Sequence, residues 1–83
     1  MARILVVDDA PEMRQLISEL LLTEDHQVAT AENGRKAIEI VEADPPDLVI
    51  LDVMMPVMDG YSVLRDLRRK GLDTRVKILL LTA

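Results

Sequence analysis

Four stretches of the chain read as strands, two of them without any polar interruption. Ile4-Leu5-Val6-Val7 and Leu48-Val49-Ile50-Leu51 are continuous apolar runs, the pattern of strands buried on both faces. Gln27 to Ala31 is more mixed and predicts a half-buried strand at a sheet edge, and Val76 to Leu81 predicts a fourth strand. Between them the period changes. Met13, Leu16, Ile17, Leu20 and Leu21 recur at one-turn spacing, predicting a helix whose inner face they form, with Glu12, Arg14, Gln15, Ser18 and Glu19 between them. Pro11 suits the first turn of that helix, where its missing N–H is not needed. Ala37, Ile38 and Val41 mark a second helix, opened by Asn33-Gly34 and stopped by Asp44-Pro45-Pro46-Asp47, because residues before proline avoid the helical region. Val63, Leu64 and Leu67 form the inner face of a third, capped by Asp59 and terminated at Gly71.

The order is βαβαβαβ. Strands alternating with short helices predict an α/β fold with a parallel sheet and right-handed crossovers, without fixing the strand order. The chain has 83 residues, the size of one domain or part of one, and 49% of them are hydrophobic. The core is aliphatic, since Tyr61 is the only aromatic residue. A formal charge of −5 with no Lys/Arg stripe makes nucleic acid or an anionic membrane surface a poor partner. With no cysteine, disulfides and thiolate metal sites are excluded. The apolar run after Met1-Ala2-Arg3 is too short for a signal peptide or a membrane span. The expectation is a soluble, cytoplasmic domain.

Candidate chemistry lies where the apolar runs stop. Asp8-Asp9 follow the first strand, Asp52 ends the third and Thr82 ends the fourth. In a parallel sheet these ends share one edge, the edge at which open α/β sheets bind ligands. Three carboxylates there repel one another and raise some of their pKa values. Mg²⁺ resolves that conflict, since it prefers oxygen ligands and is held by one or two carboxylates plus phosphate. A carboxylate beside it can act as a nucleophile toward phosphorus. Any one Asp at a strand end is more often structural than chemical; the joint pattern is what carries the signal.

The blocks Ile4 to Asp9, Leu51-Asp52-Val53-Met54-Met55-Pro56-Val57-Met58-Asp59-Gly60 and Leu80-Leu81-Thr82-Ala83 resemble the three signature blocks of response-regulator receiver domains, the flavodoxin-like phosphoryl-accepting switches of two-component signalling. The resemblance covers the chain, residues 1–83, as the N-terminal two-thirds of such a domain, a partial doubly wound sheet without the fifth strand and last two helices. It implies that Asp52 is the phospho-acceptor and that Asp8 and Asp9 are metal-site acids, with Asp9 favoured as the direct ligand. The Met54 backbone carbonyl is implied as a further Mg²⁺ ligand, Thr82 as the switch hydroxyl, and Pro56 and Gly60 as shapers of the loop after the third strand. The implied partner is a sensor histidine kinase or phosphotransfer domain, and the implied role is a signalling switch, not an enzyme. The family's fifth strand carries a phosphoryl-binding Lys, within roughly 40 residues of further chain. Neither Lys70, at the wrong end of the third helix, nor Lys77, early in the fourth strand, can replace it.

Two other readings stand beside this one. In the strand order that the resemblance implies, a chain without the fifth strand leaves the fourth at the edge, and a receiver-like interaction module that is not phosphorylated would self-associate through it. A Mg²⁺-dependent phosphatase with an Asp nucleophile would need a second acid two residues on, where this chain has Met54. His26, the lone histidine, reads as an ordinary surface residue, and Met54, Met55 and Met58 as gap fillers. The charged residues Arg65, Asp66, Arg68, Arg69 and Lys70 read as a solvated helix face. Gly34, Gly60 and Gly71 form no dinucleotide fingerprint or phosphate loop.

Overall fold

The computed structural model describes residues 1–55 and 58–81. Four five-residue strands, β1 (Arg3–Val7), β2 (Gln27–Ala31), β3 (Leu48–Asp52) and β4 (Lys77–Leu81), alternate with α1 (Pro11–Thr23), α2 (Gly34–Ala43) and α3 (Gly60–Arg69). All strand pairs are parallel and the order is β2-β1-β3-β4. The winding therefore reverses between β1 and β3, which lie side by side at the centre with Val7 opposite Leu51.

The alternation of side chains across this sheet builds two cores. Leu5, Val7, Val49 and Leu51 point to the side covered by α2 and α3, where Ala37, Ile38, Val41, Val63, Leu67, Met55 and Val76 join them. Ile4, Val6 and Ile50 point to the other side, against Ile17 and Leu21 of α1. The central strands are thus apolar on both faces because both faces are covered. β2, at one edge, is mostly exposed, as its mixed composition predicts.

Local signals set the helix ends. Asn33 Oδ1 accepts the Lys36 N–H at 2.9 Å, and Asp59 Oδ1 accepts the Ser62 N–H at 2.8 Å, so both residues are N-caps. Pro11 opens α1, but the N-cap there is Ala10, which has no side chain to offer. α3 ends at Arg69, and Gly71 follows with φ +72°, the left-handed turn that glycine accommodates without strain.

The predicted inner face of α1 needs correction. No residue of α1 is fully buried; Ile17 and Leu21 rest against the sheet, whereas Met13, Leu16 and Leu20 are exposed. α1 packs on β1 and β2, and Met13, Leu16 and Leu20 lie on the flank turned away from that contact. Leu64 of α3 is likewise half-buried, while Val63 and Leu67 are fully buried. The methionines divide: Met55 is buried and Met58 packs on the core, but Met54 is exposed and fills no gap. His26 is half-buried, and its Nδ1 accepts the Ala2 N–H at 3.0 Å, which ties the amino-terminal segment to the start of β2. It lies at the sheet end opposite Asp8, Asp9 and Asp52. Among the described residues no helix is long and apolar enough to cross a membrane.

Candidate acid site at the carboxyl edge of the sheet

Because β1 and β3 are parallel neighbours in register, the residues that follow them emerge together. Asp8, Asp9 and Asp52 each offer a carboxylate oxygen within 4.8 Å of the other two. They differ in environment. Asp8 is the one buried polar residue among those described, at 7% exposure, while Asp52 is half-buried and Asp9 exposed. Asp8 Oδ1 accepts the Ala10 N–H at 2.9 Å, and Asp52 Oδ1 accepts the Met54 N–H at 3.1 Å. Each of these bonds spans two residues, so each carboxylate folds back on its own turn with one oxygen engaged.

Burial pushes the Asp8 carboxyl above its ordinary pKa, and the charges of Asp52 and Asp9 push it further the same way; the Ala10 N–H opposes them. The site is thus a cluster of acids built from hard oxygen donors. Those donors, at that spacing, fit a hard divalent cation such as Mg²⁺.

The backbone around the site is held by small residues and by one long one. Gly60 N donates to the Val53 carbonyl at 3.1 Å, and a Cβ on Gly60 would lie 2.8 Å from the Asp52 carbonyl oxygen and 2.9 Å from Val53 Cα. Only glycine lets α3 start this close to the end of β3. On the other strand, the Arg14 guanidinium donates from Nη1 to the Asp8 carbonyl at 2.8 Å. Sequence reasoning placed Arg14 among the polar residues of α1 and missed this contact. The available signal was the lack of a capping side chain at Ala10 with a long cation one turn further on. Beside the acids runs an open groove of about 600 Å³ lined by Asp9, Val53, Met54, Met55, Asp59 and Tyr61.

The structure brings Asp8, Asp9 and Asp52 together and places Met54 next to them in the loop. Thr82 and Pro56 lie outside the described residues. Lys70 is at the far end of α3, where its Nζ bonds Glu42 Oε1 at 2.7 Å, and Lys77 is exposed at the start of β4. Neither reaches the acids, as expected.

A parallel sheet wound in this order, with acids at the ends of β1 and β3, is a flavodoxin-like α/β arrangement with an acid cluster at its carboxyl edge. Comparison with known proteins gives the family: residues 4–83 match the response regulator receiver domain, and the chain belongs to that family of signalling modules. It is 46% identical over 81 residues to the response regulator MprA of Mycolicibacterium vanbaalenii, covering 98% of this chain and 34% of that protein. It is 43% identical to the sensor histidine kinase TmoS of Ectopseudomonas mendocina, of which it spans 8%. Among solved structures, the response regulator TrrA of Thermotoga maritima in complex with Mg²⁺-BeF matches with a TM-score of 0.90 and 47% identity, over 100% of this chain and 70% of that one. The N-terminal domain of a receiver protein from Methanoculleus marisnigri matches with a TM-score of 0.95 and 36% identity, over 100% and 68%. The chain thus spans about a third or less of these curated relatives. Its α/β fold is the receiver fold, in the four-strand, three-helix form described above.

Proposed function

We propose that Asp52 accepts a phosphoryl group from a phosphohistidine of a sensor kinase or phosphotransfer domain, and that residues 1–83 are the first two-thirds of the receiver that does so. The observation that carries this reading is the convergence of Asp8, Asp9 and Asp52 at the point where the sheet's winding reverses. An Asp52 oxygen attacks phosphorus; the O–P bond forms as the P–N bond breaks, and the electron pair returns to the imidazole nitrogen. Asp52 already has one oxygen held by Met54 N–H, which limits the rotation of the carboxylate. Asp8, Asp9, Asp52 and the Met54 carbonyl would hold Mg²⁺, which when bound supplies neutralisation of the charge on the transferring group. Thr82 serves as the switch hydroxyl that bonds the phosphoryl oxygens. The group is accepted once per cycle and stays on the protein, so the role is that of a switch and not of an enzyme with turnover.

The test is labelling with acetyl phosphate and Mg²⁺, read by intact mass on wild type and on Asp52→Asn. One phosphoryl adduct on wild type and none on Asp52→Asn is expected. A folded, Mg²⁺-binding wild type that takes no adduct overturns the reading.

A second property is favoured by the open side of β4, which pairs only with β3 among the described residues, and by the exposure of Leu79 on it. Unpaired backbone beside an apolar side chain invites a further strand. We propose that this edge, with the exposed Met13, Leu16 and Leu20 of α1, lets the chain associate with a second copy.

A further inference from the structure

We propose that Arg14 is a positioning residue for the acid site, fixing the main chain of Asp8 and Asp9 so that their carboxylates converge on Asp52. The assignment of metal binding to that site rests on the function proposed above; the clamp itself rests on hydrogen bonds.

Asp8 is held from three directions. Its N–H donates to the Ala31 carbonyl of β2 at 3.2 Å, its Oδ1 receives the Ala10 N–H, and its carbonyl receives Arg14 Nη1. The first bond continues the β1–β2 ladder and the second is a local turn. The third is different in kind, because it ties a residue before α1 to a side chain in the second turn of α1. That turn needs such a tie. Ala10 provides no capping oxygen and Pro11 no N–H, so the start of α1 lacks the side-chain cap that Asn33 and Asp59 give α2 and α3.

The choice of side chain is informative. Among the described residues Arg14 forms no ion pair, although three carboxylates lie close by in the chain. Its donor goes to a carbonyl at the end of β1, and the residue is half-buried. A cation that paired with Asp8 or Asp9 would compete for the oxygens that a metal ion needs. A cation fixed on the backbone leaves those oxygens free while holding the residues that carry them. The planar fork suits this, since its donors are fixed in direction by the guanidinium plane.

The measurement is Mg²⁺ affinity by titration calorimetry on wild type, Arg14→Ala, Arg14→Lys and Arg14→Gln, well below their melting temperatures. Arg14→Ala is expected to weaken Mg²⁺ by about tenfold, the effect typical of residues that support a ligand without touching the ion. Arg14→Lys should recover part of this and Arg14→Gln less. Equal affinities across the series overturn the proposal, and so does tighter binding by Arg14→Ala, which would make the guanidinium a repelling charge only. A residue with a purely structural role would lower the melting temperature and leave the affinity of the folded protein unchanged. If Arg14→Ala does not fold, the order Arg, Lys, Gln decides. If wild type itself binds no Mg²⁺, the functional reading fails separately. The clamp is then judged by amide exchange at Ala10, expected to be faster in Arg14→Lys than in wild type; unchanged exchange overturns it.

Discussion

Asp8 concentrates the electrostatics of the site in one side chain. Its pKa is raised, first by burial and then by Asp52 and Asp9, so the folded state holds the proton more tightly than the unfolded chain. Between the two pKa values the folded state binds more protons, and stability therefore falls as pH rises through that window. The metal-free protein should be more stable just below the window than above it on this account. Asp59 works in the opposite sense: its bonds with Ser62 lower its pKa, so its contribution is present above the unfolded value and lost as pH falls through the folded one. Replacing Asp8 by Asn keeps an oxygen for the Ala10 N–H and removes the charge. We expect Asp8→Asn to raise the metal-free melting temperature at neutral pH by several degrees and to flatten the fall in stability that begins as pH rises past the unfolded Asp value, as measured by circular dichroism across pH. A lower melting temperature at neutral pH would contradict this account of Asp8.

At the scale of elements, the sequence was most legible where structure is decided within a few residues. Asn33 and Asp59 could be recognised as caps, Pro11 as a helix opener and Gly71 as a stop, because each acts on its own turn. The two central strands were legible because covering on both faces leaves no room for polar residues. The face of α1 was not, since which of Met13, Leu16 and Leu20 are covered depends on what packs alongside the helix, and no periodicity encodes that. Strand order was hidden for a related reason, since alternation of strands and helices fits several windings. The junction of β3 and α3 offers a test at this scale. A Cβ at Gly60 would meet backbone at 2.8 Å, and backbone cannot swing aside as a side chain can. Gly60→Ala should therefore move the loop that follows Asp52. The crowding costs roughly 1–3 kcal/mol, against about 1 kcal/mol gained from helix propensity. A lowered urea midpoint at unchanged slope, with slower labelling of Asp52, is expected; a gain in stability would mean that the loop gives way freely.

For the molecule as a whole, the two faces of the sheet are unequal. The side bearing α2 and α3 holds most of the buried residues, and on the side bearing α1 the buried ones are Ile4, Val6 and Ile50. Leu79, half exposed opposite Ile50, marks the uncovered part. Leu79→Lys places a charge on that strip and at the open edge, a device that discourages strand addition. If the edge associates, sedimentation should show a concentration-dependent dimer for wild type and a monomer for Leu79→Lys. A wild type that stays monomeric at all concentrations would remove the second property proposed.

The central seam between β1 and β3 has a further consequence. The three acids belong to strands that are neighbours in space but far apart along the chain, with β2 and two helices looped out between them. Closing that loop costs chain entropy, and at its end it sets like charges against one another. A cation bound there would add its binding free energy only to molecules whose seam is closed, by mass action. Filling the site and zipping the two middle strands then become one equilibrium. The dissolved ion would act as a fastener for the fold, and its concentration would set how often the middle of the sheet breathes open.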